Sequence, residues 1–166
     1  MATLKAGTGA EALQTQENWS PQISLGLSVL IPESYVPDLG LRMELYHRLA
    51  NVEDDAELDE MRLELQDRFG PVPQEVQNLF EIVQIKALCR AAFVEKLDAG
   101  PKGVTLSFHN NLYPNPAGLV GFINGQMGLA KLKPDKLTVT RAWDRMDDRV
   151  NGVKRILETL ARLAQE

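Results

Sequence analysis

Residues 31–70 read IPESYVPDLGLRMELYHRLANVEDDAELDEMRLELQDRFG and contain two helices, a stop signal and a row of carboxylates. Pro37 keeps the entering chain extended, because the residue before a proline is pushed out of the α region. Asp38 then caps a helix whose inner face is Leu41, Leu45 and Leu49, spaced four apart. Asn51, Val52 and Glu53 break that pattern. Asp54 caps again, with Glu57 three residues on, as a capping box requires. The second helix is expected to bury Leu58, Met61, Leu65 and Phe69. Gly70 is the expected left-handed stop, and Pro71 forbids continuation.

The other side of the second helix carries Glu57, Glu60, Glu64 and Asp67 at i, i+3, i+7 and i+10, which aligns them along one edge. That edge lies roughly a third of a turn from the apolar stripe, at about 100° per residue. Arg62 and Arg68 stand elsewhere on the helix and neutralise the row only in part. Two readings stay open on the residues alone. One is a solvated helix face, since charge rows on surface helices are common. The other is a docking surface for a basic partner.

The run IPESYVPDLGLRMELYHRL followed by DDAELDEMRLELQDRFGPVPQEVQNLF resembles the C-terminal domain of bacterial transcription-repair coupling factors. ELQDRFGPVP is the most specific piece, and the later GVTLSF and NPAGLVGFI fit as well. The likeness runs from about residue 23 to the last residue. It implies a non-catalytic regulatory module that packs against an N-terminal, excinuclease B-like module of the same protein. Docked there, it would mask the surface that binds the excinuclease A subunit. Carried over by position, Glu64 and Asp67 supply part of that contact, with Glu60 and Arg68 beside them. The parent protein implied is an ATP-dependent DNA translocase that displaces stalled RNA polymerase and recruits excision repair. ATP, magnesium and the DNA contacts belong to its motor domains, so no cofactor is expected in this chain.

A chain of 166 residues suits one domain large enough to bury roughly two-thirds of its unfolded surface. The formal charge of −5 argues against a free-standing nucleic-acid binder, though a local basic patch stays compatible with it. The single cysteine, Cys89, has no internal partner, which fits a reducing cytoplasm. There is neither a run of about 18 apolar residues nor a signal-peptide core, so a cytoplasmic, membrane-free location is expected.

Residues 1–22 read as a flexible linker, which the resemblance makes the tail of a connector from the preceding motor. Residues 23–166 read as the single folded domain. From Ile23 the alternation of Ile23, Leu25, Leu27 and Val29 predicts a short edge strand or an extended arm. Pro73 opens a third helix to about Phe93 that is apolar nearly all round and therefore central. Two strands follow, 94–98 and 104–108, joined through the turn AGPKG. Asn115 caps a short helix from Pro116. Strands are expected over 129–132 and 137–142, and a closing helix from Asp144 buries Met146, Val150, Val153, Leu157, Leu160 and Ala164. The order makes an α+β domain: N-terminal helices, then a small sheet with a short helix and a long C-terminal helix packed on it.

Enzyme signatures are missing. There is no G-x-x-x-x-G-K-[ST] loop, and Gly7-Thr8-Gly9 has no strand before it. His47 and His109 lack neighbours at metal-ligand spacing. Cys89 reads as a small buried hydrophobe rather than a nucleophile. Trp19, Tyr35, Tyr46, Tyr113 and Trp143 are too scattered for a base-stacking platform. Arg141, Arg145, Arg149, Lys154 and Arg155 mix with Asp144, Asp147 and Asp148, which reads as ordinary surface charge. The competing functions are a small enzyme, which needs a deep pocket with convergent polar groups, and a nucleic-acid module.

Overall fold

The computed structural model describes residues 19–166. In chain order these form β1 (Gln22–Ser24), α1 (Leu39–Ala50), α2 (Asp55–Phe69), α3 (Gln74–Ala91), β2 (Val94–Gly100) and β3 (Gly103–Phe108). A 3-10 turn (His109–Asn111) leads to α4 (Pro116–Gly125), β4 (Ala130–Lys133), β5 (Lys136–Thr140) and α5 (Met146–Ala164). Side-chain caps fix three of the helix starts, as expected. Asp38 accepts from the Leu41 N–H at 2.9 Å, Asp54 from Glu57 at 2.8 Å and Asn115 from Gly118 at 3.0 Å. Gly70 ends α2 at φ 93, but its ψ of −166 lies outside the left-handed helical region. That combination is essentially open to glycine alone, so the stop works by a different geometry from the one expected.

The strands make one mixed sheet in the order β1-β2-β3-β5-β4. β1 lies parallel to β2 at the edge, and every other pairing is antiparallel. The alternation from Ile23 to Val29 shortens to three paired residues because Gly26 adopts φ 78 and turns the chain out of the ladder. The remainder is the expected arm, tied down by Ile31 N–H to the Tyr46 hydroxyl (2.8 Å) and Asn78 to the Ser28 carbonyl (3.0 Å). Ahead of β1, Pro21 is buried and Trp19 stacks on His109, ring centroids 4.5 Å apart. Fixed structure therefore reaches slightly further back than residue 23; the expected linker up to residue 18 lies outside the described residues.

Two apolar clusters share α3. The first joins Ile31, Val36, Leu45, Leu49, Leu58, Met61 and Leu65 to Val76 and Phe80. The second joins Ile85 and Cys89 to the sheet residues Leu97, Val104, Leu106, Leu137 and Val139 and to Val153, Leu157 and Leu160 of α5. Only a helix apolar on opposite sides of successive turns can serve both. α3 stops at Ala91, two residues short of expectation, because Phe93 takes φ 62 to hand the chain to β2. The β2–β3 turn is tighter than AGPKG suggested: Gly100 pairs with Gly103, and only Pro101 and Lys102 lie between.

Candidate inter-domain docking surface

The local frame of the acidic row is the α1–α2 hairpin. Leu45 and Leu49 of α1 and Leu58, Met61 and Leu65 of α2 are buried together, which fixes how α2 is rolled. With that roll set, the four carboxylates separate into two kinds. Glu64 turns back toward α1, where the Arg48 guanidinium grips it with two bonds of 2.9 and 3.1 Å. Arg68, one turn on, adds a third at 3.3 Å. The Arg48 hydrogen bonds hold the Glu64 carboxyl below its ordinary range, against the opposing effect of partial desolvation. Arg48 is raised for the complementary reason.

Glu57, Glu60 and Asp67 are exposed and form no ion pair among the described residues. Leu63 lies beside Glu60 and Asp67, 65% exposed, on the side of α2 turned away from the buried stripe. At about 100° per residue it sits roughly 40° from Asp67 and 60° from Glu60. Both offsets run in the same sense, so the outward side of α2 is an exposed leucine with carboxylates that have no described ion-pair partner along one flank. Arg68 is half-exposed and already engaged, with its guanidinium 5.2 Å from the Phe69 ring centre. Arg62 pairs with Asp59 at 2.9 Å and lies over the Phe80 ring.

Two features escaped the sequence reading. Arg48 comes from sixteen residues away, and no local spacing rule links it to Glu64. Leu63 falls off the apolar stripe, and its exposure was its only signal. The basic neighbourhood at the last helix is not all ordinary surface charge, contrary to expectation. Arg149 is not surface charge: it is 8% exposed and donates to the Leu25 carbonyl (3.0 Å) and the Trp143 carbonyl (3.1 Å). Once the arm packs against α5, these two carbonyls have no other described donor, and a long cation on the inner edge of the helix reaches both. Lys154 is likewise occupied, by Glu81 and by Gln84 at 2.8 Å.

Elsewhere the chemistry is sparse. Cys89 is buried, and loss of solvent pushes its thiol up to about 12, as an inert core residue requires. His109 contacts Glu95 at 3.0 Å beneath Trp19, and His47 is exposed beside Asn51. Tyr113 is raised to about 12, chiefly by burial, and donates to the Leu160 carbonyl. Among the described residues no cluster of three or more His, Cys, Asp or Glu could hold a metal. A cleft of about 220 Å³ between α1 and α3 is lined by Leu49, Leu79, Ile82 and Val83 with Lys86 and Arg90, and no carboxylate or histidine faces those cations. Among the described residues no helix is long and apolar enough to cross a membrane.

Residues 25–119 match the TRCF domain family. The chain is 39% identical over 129 residues to a transcription-repair-coupling factor of Rickettsia bellii, covering 78% of this chain and 11% of that protein. Against the Escherichia coli transcription-repair-coupling factor it is 27% identical over 158 residues, 95% of this chain and 14% of the other. The chain therefore spans only 11–14% of the length of these relatives. A crystal structure of the C-terminal domain of a transcription-repair coupling factor superposes with a TM-score of 0.73 at 20% identity, covering 89% of this chain and 95% of that one. At that identity the likeness establishes the α+β fold.

Proposed function

We propose, from the premise that this chain belongs to the TRCF-domain family of transcription-repair-coupling factors, that it is the autoinhibitory module of such a protein. It docks on the N-terminal, excinuclease B-like module of its own parent and masks that module's excinuclease A site. The parent is an ATP- and magnesium-dependent DNA translocase that displaces stalled RNA polymerase in the cytoplasm. This chain contributes control rather than catalysis. The observation that carries the reading is the outward side of α2, where Leu63 is exposed beside Glu60 and Asp67, neither of which has a described ion-pair partner. A basic partner surface would complete both carboxylates with charge-assisted bonds and cover the leucine.

Glu64 and Arg68 sit at the margin of this contact. Because Arg48 and Arg68 already hold Glu64, its part is to keep α2 in place. The test is a titration of this chain with the isolated N-terminal module, repeated with Glu60→Ala/Asp67→Ala. Binding is expected, and the double variant should weaken it by about 1 to several kcal/mol, depending on how dry the contact is. In the full-length protein the same pair should increase excinuclease A binding in the absence of DNA and polymerase. A correctly folded double variant that docks as tightly as the wild type would remove α2 from the interface.

A further inference from the structure

Charge is unevenly divided along the chain. Residues 31–93 hold thirteen Asp and Glu against six Lys and Arg, whereas residues 94–166 hold eight against eleven. The excess of cations in the second part is concentrated on one face of the sheet. All the helices that pack on the sheet share the cluster built on Leu97, Val104, Leu106, Leu137 and Val139, so they cover a single face. No described element packs an apolar cluster over the opposite face. Side chains alternate along a strand and cross-strand partners share a face, so the ladder registers give its composition directly.

One cross-strand row runs Lys131, Thr138, Thr105 and Asp98. Two residues along each strand, Lys133 stands directly opposite Lys136, and Lys96 opposite Ser107. Lys96, Lys131 and Lys133 are exposed and Lys136 is half-exposed. None of the four forms an ion pair among the described residues, in contrast to Arg48, Arg62, Arg68 and Lys154. Asp98 is the one carboxylate in those rows. Like charges directly opposite in a ladder are destabilising, so Lys133 and Lys136 are arranged against the isolated fold's interest.

We infer that this open sheet face is an electrostatic, sequence-independent binding surface for the phosphate backbone of a nucleic acid. The composition favours phosphate over an acidic protein. Protein interfaces are depleted in lysine and need an apolar or aromatic anchor at their centre, which these cross-strand rows do not contain. Lysines interleaved with Ser and Thr hydroxyls are the groups that contact phosphate and sugar without reading bases. The carboxylates of α1 and α2 lie on another part of the molecule, so a net charge of −5 does not prevent a local cationic track. The inference is independent of the docking role proposed for α2.

The test is fluorescence anisotropy of this chain with a labelled thymidine oligomer and with a duplex of mixed sequence, over a range of salt. Binding is expected at low salt with little sequence preference. If all four lysines engage single-stranded phosphates, affinity should fall about 50-fold between about 50 and 200 mM salt, at about 0.7 log units per phosphate and decade. Replacing Lys131, Lys133, Lys136 and Lys96 together by Glu should abolish binding, and each single Lys→Ala should flatten the salt slope by roughly 0.7. Lys86→Glu, outside the face, is the control and should change little. Absence of binding at low salt overturns the proposal, as does binding that survives the four reversals in a folded chain. Retention by polyglutamate but not by nucleic acid would overturn it too, by making the face a site for acidic protein.

Discussion

The helical end and the sheet end of this molecule are closed in different ways. At the sheet end, α5 places Val150, Val153, Ile156, Leu157 and Leu160 against strands whose inward residues are nearly inaccessible, and the buried Arg149 locks the arm to it. The helical end has a smaller apolar cluster and relies on polar braces between loops and helices. The Tyr35 hydroxyl reaches the carbonyls of Leu65 and Gly70, Tyr46 receives the Ile31 N–H, and Arg48 spans to Glu64. Each end leaves a different surface uncovered: acidic with an exposed leucine on α2, basic on the open sheet. Two such uncovered surfaces are compatible with a stable fold when a shared element keeps both ends folded. α3 is that element.

The largest expected effect tests the sharing directly. Phe80 is fully buried in the helical cluster, and Phe80→Ala should cost about 3–5 kcal/mol in urea unfolding. Because α3 also carries Cys89, the loss should be felt at the sheet end as faster labelling of that thiol by a maleimide. Faster exchange of α1 and α2 amides with unchanged Cys89 labelling would show that the two ends open separately, and α3 would be a connector rather than a common core.

A smaller effect is expected from overfilling the sheet end. A Cβ at Gly152 would lie 2.3 Å from the Trp143 ring, which is itself nearly buried. Gly152→Ala should therefore cost about 1–3 kcal/mol, despite the better helix propensity of alanine. An unchanged or raised melting temperature would mean that the indole moves aside freely and that the sheet end is looser than the helical one. Arg149→Met falls in the same range, about 1–3 kcal/mol, since it leaves the Leu25 and Trp143 carbonyls without their donor.

What could be read in the sequence was whatever is encoded locally. Asp38, Asp54 and Asn115 announce helix starts because a cap needs only three residues of context. Val104, Leu106 and Phe108 announce a strand by alternation, and all three are buried as expected. The spacing of Leu58, Met61 and Leu65 gave the inner side of α2, and hence the edge on which its carboxylates stand. Features created by the fold were not legible. The parallel pairing of β1 with β2 joins segments some seventy residues apart. Arg149 looks like any basic residue among aspartates until the arm lies on α5. The lysines of the open sheet are unremarkable in a list, and only the strand order and register bring them to one face. The resemblance singles out Glu64 together with Asp67, and only the approach of Arg48 separates it from Asp67 and Glu60.

That separation leads to the smallest expected effect, which is a dependence on pH. Arg48 holds the Glu64 carboxyl below the usual carboxylate range, so the folded state binds its proton less readily than the unfolded chain does. The stabilisation is therefore fully present above the unfolded-state value and is lost as pH falls through the lower folded value. The side chain is 36% exposed, so solvent and salt screen the pair, and the contribution at neutral pH should be no more than about 0.5–1 kcal/mol. Glu64→Gln should lower the urea midpoint slightly at neutral pH, by less in high salt. The gap to the wild type should close on acidification below the ordinary carboxylate range. Asp67→Asn, which has no described ion-pair partner to lose, should show no such convergence. If Asp67→Asn lowers stability as Glu64→Gln does, both carboxylates brace the hairpin, and Asp67 is not held free for a partner. If Glu64→Gln is neutral at every pH, the Arg48 bond adds nothing to the fold, and Glu64 rejoins the outward row as a group available for docking.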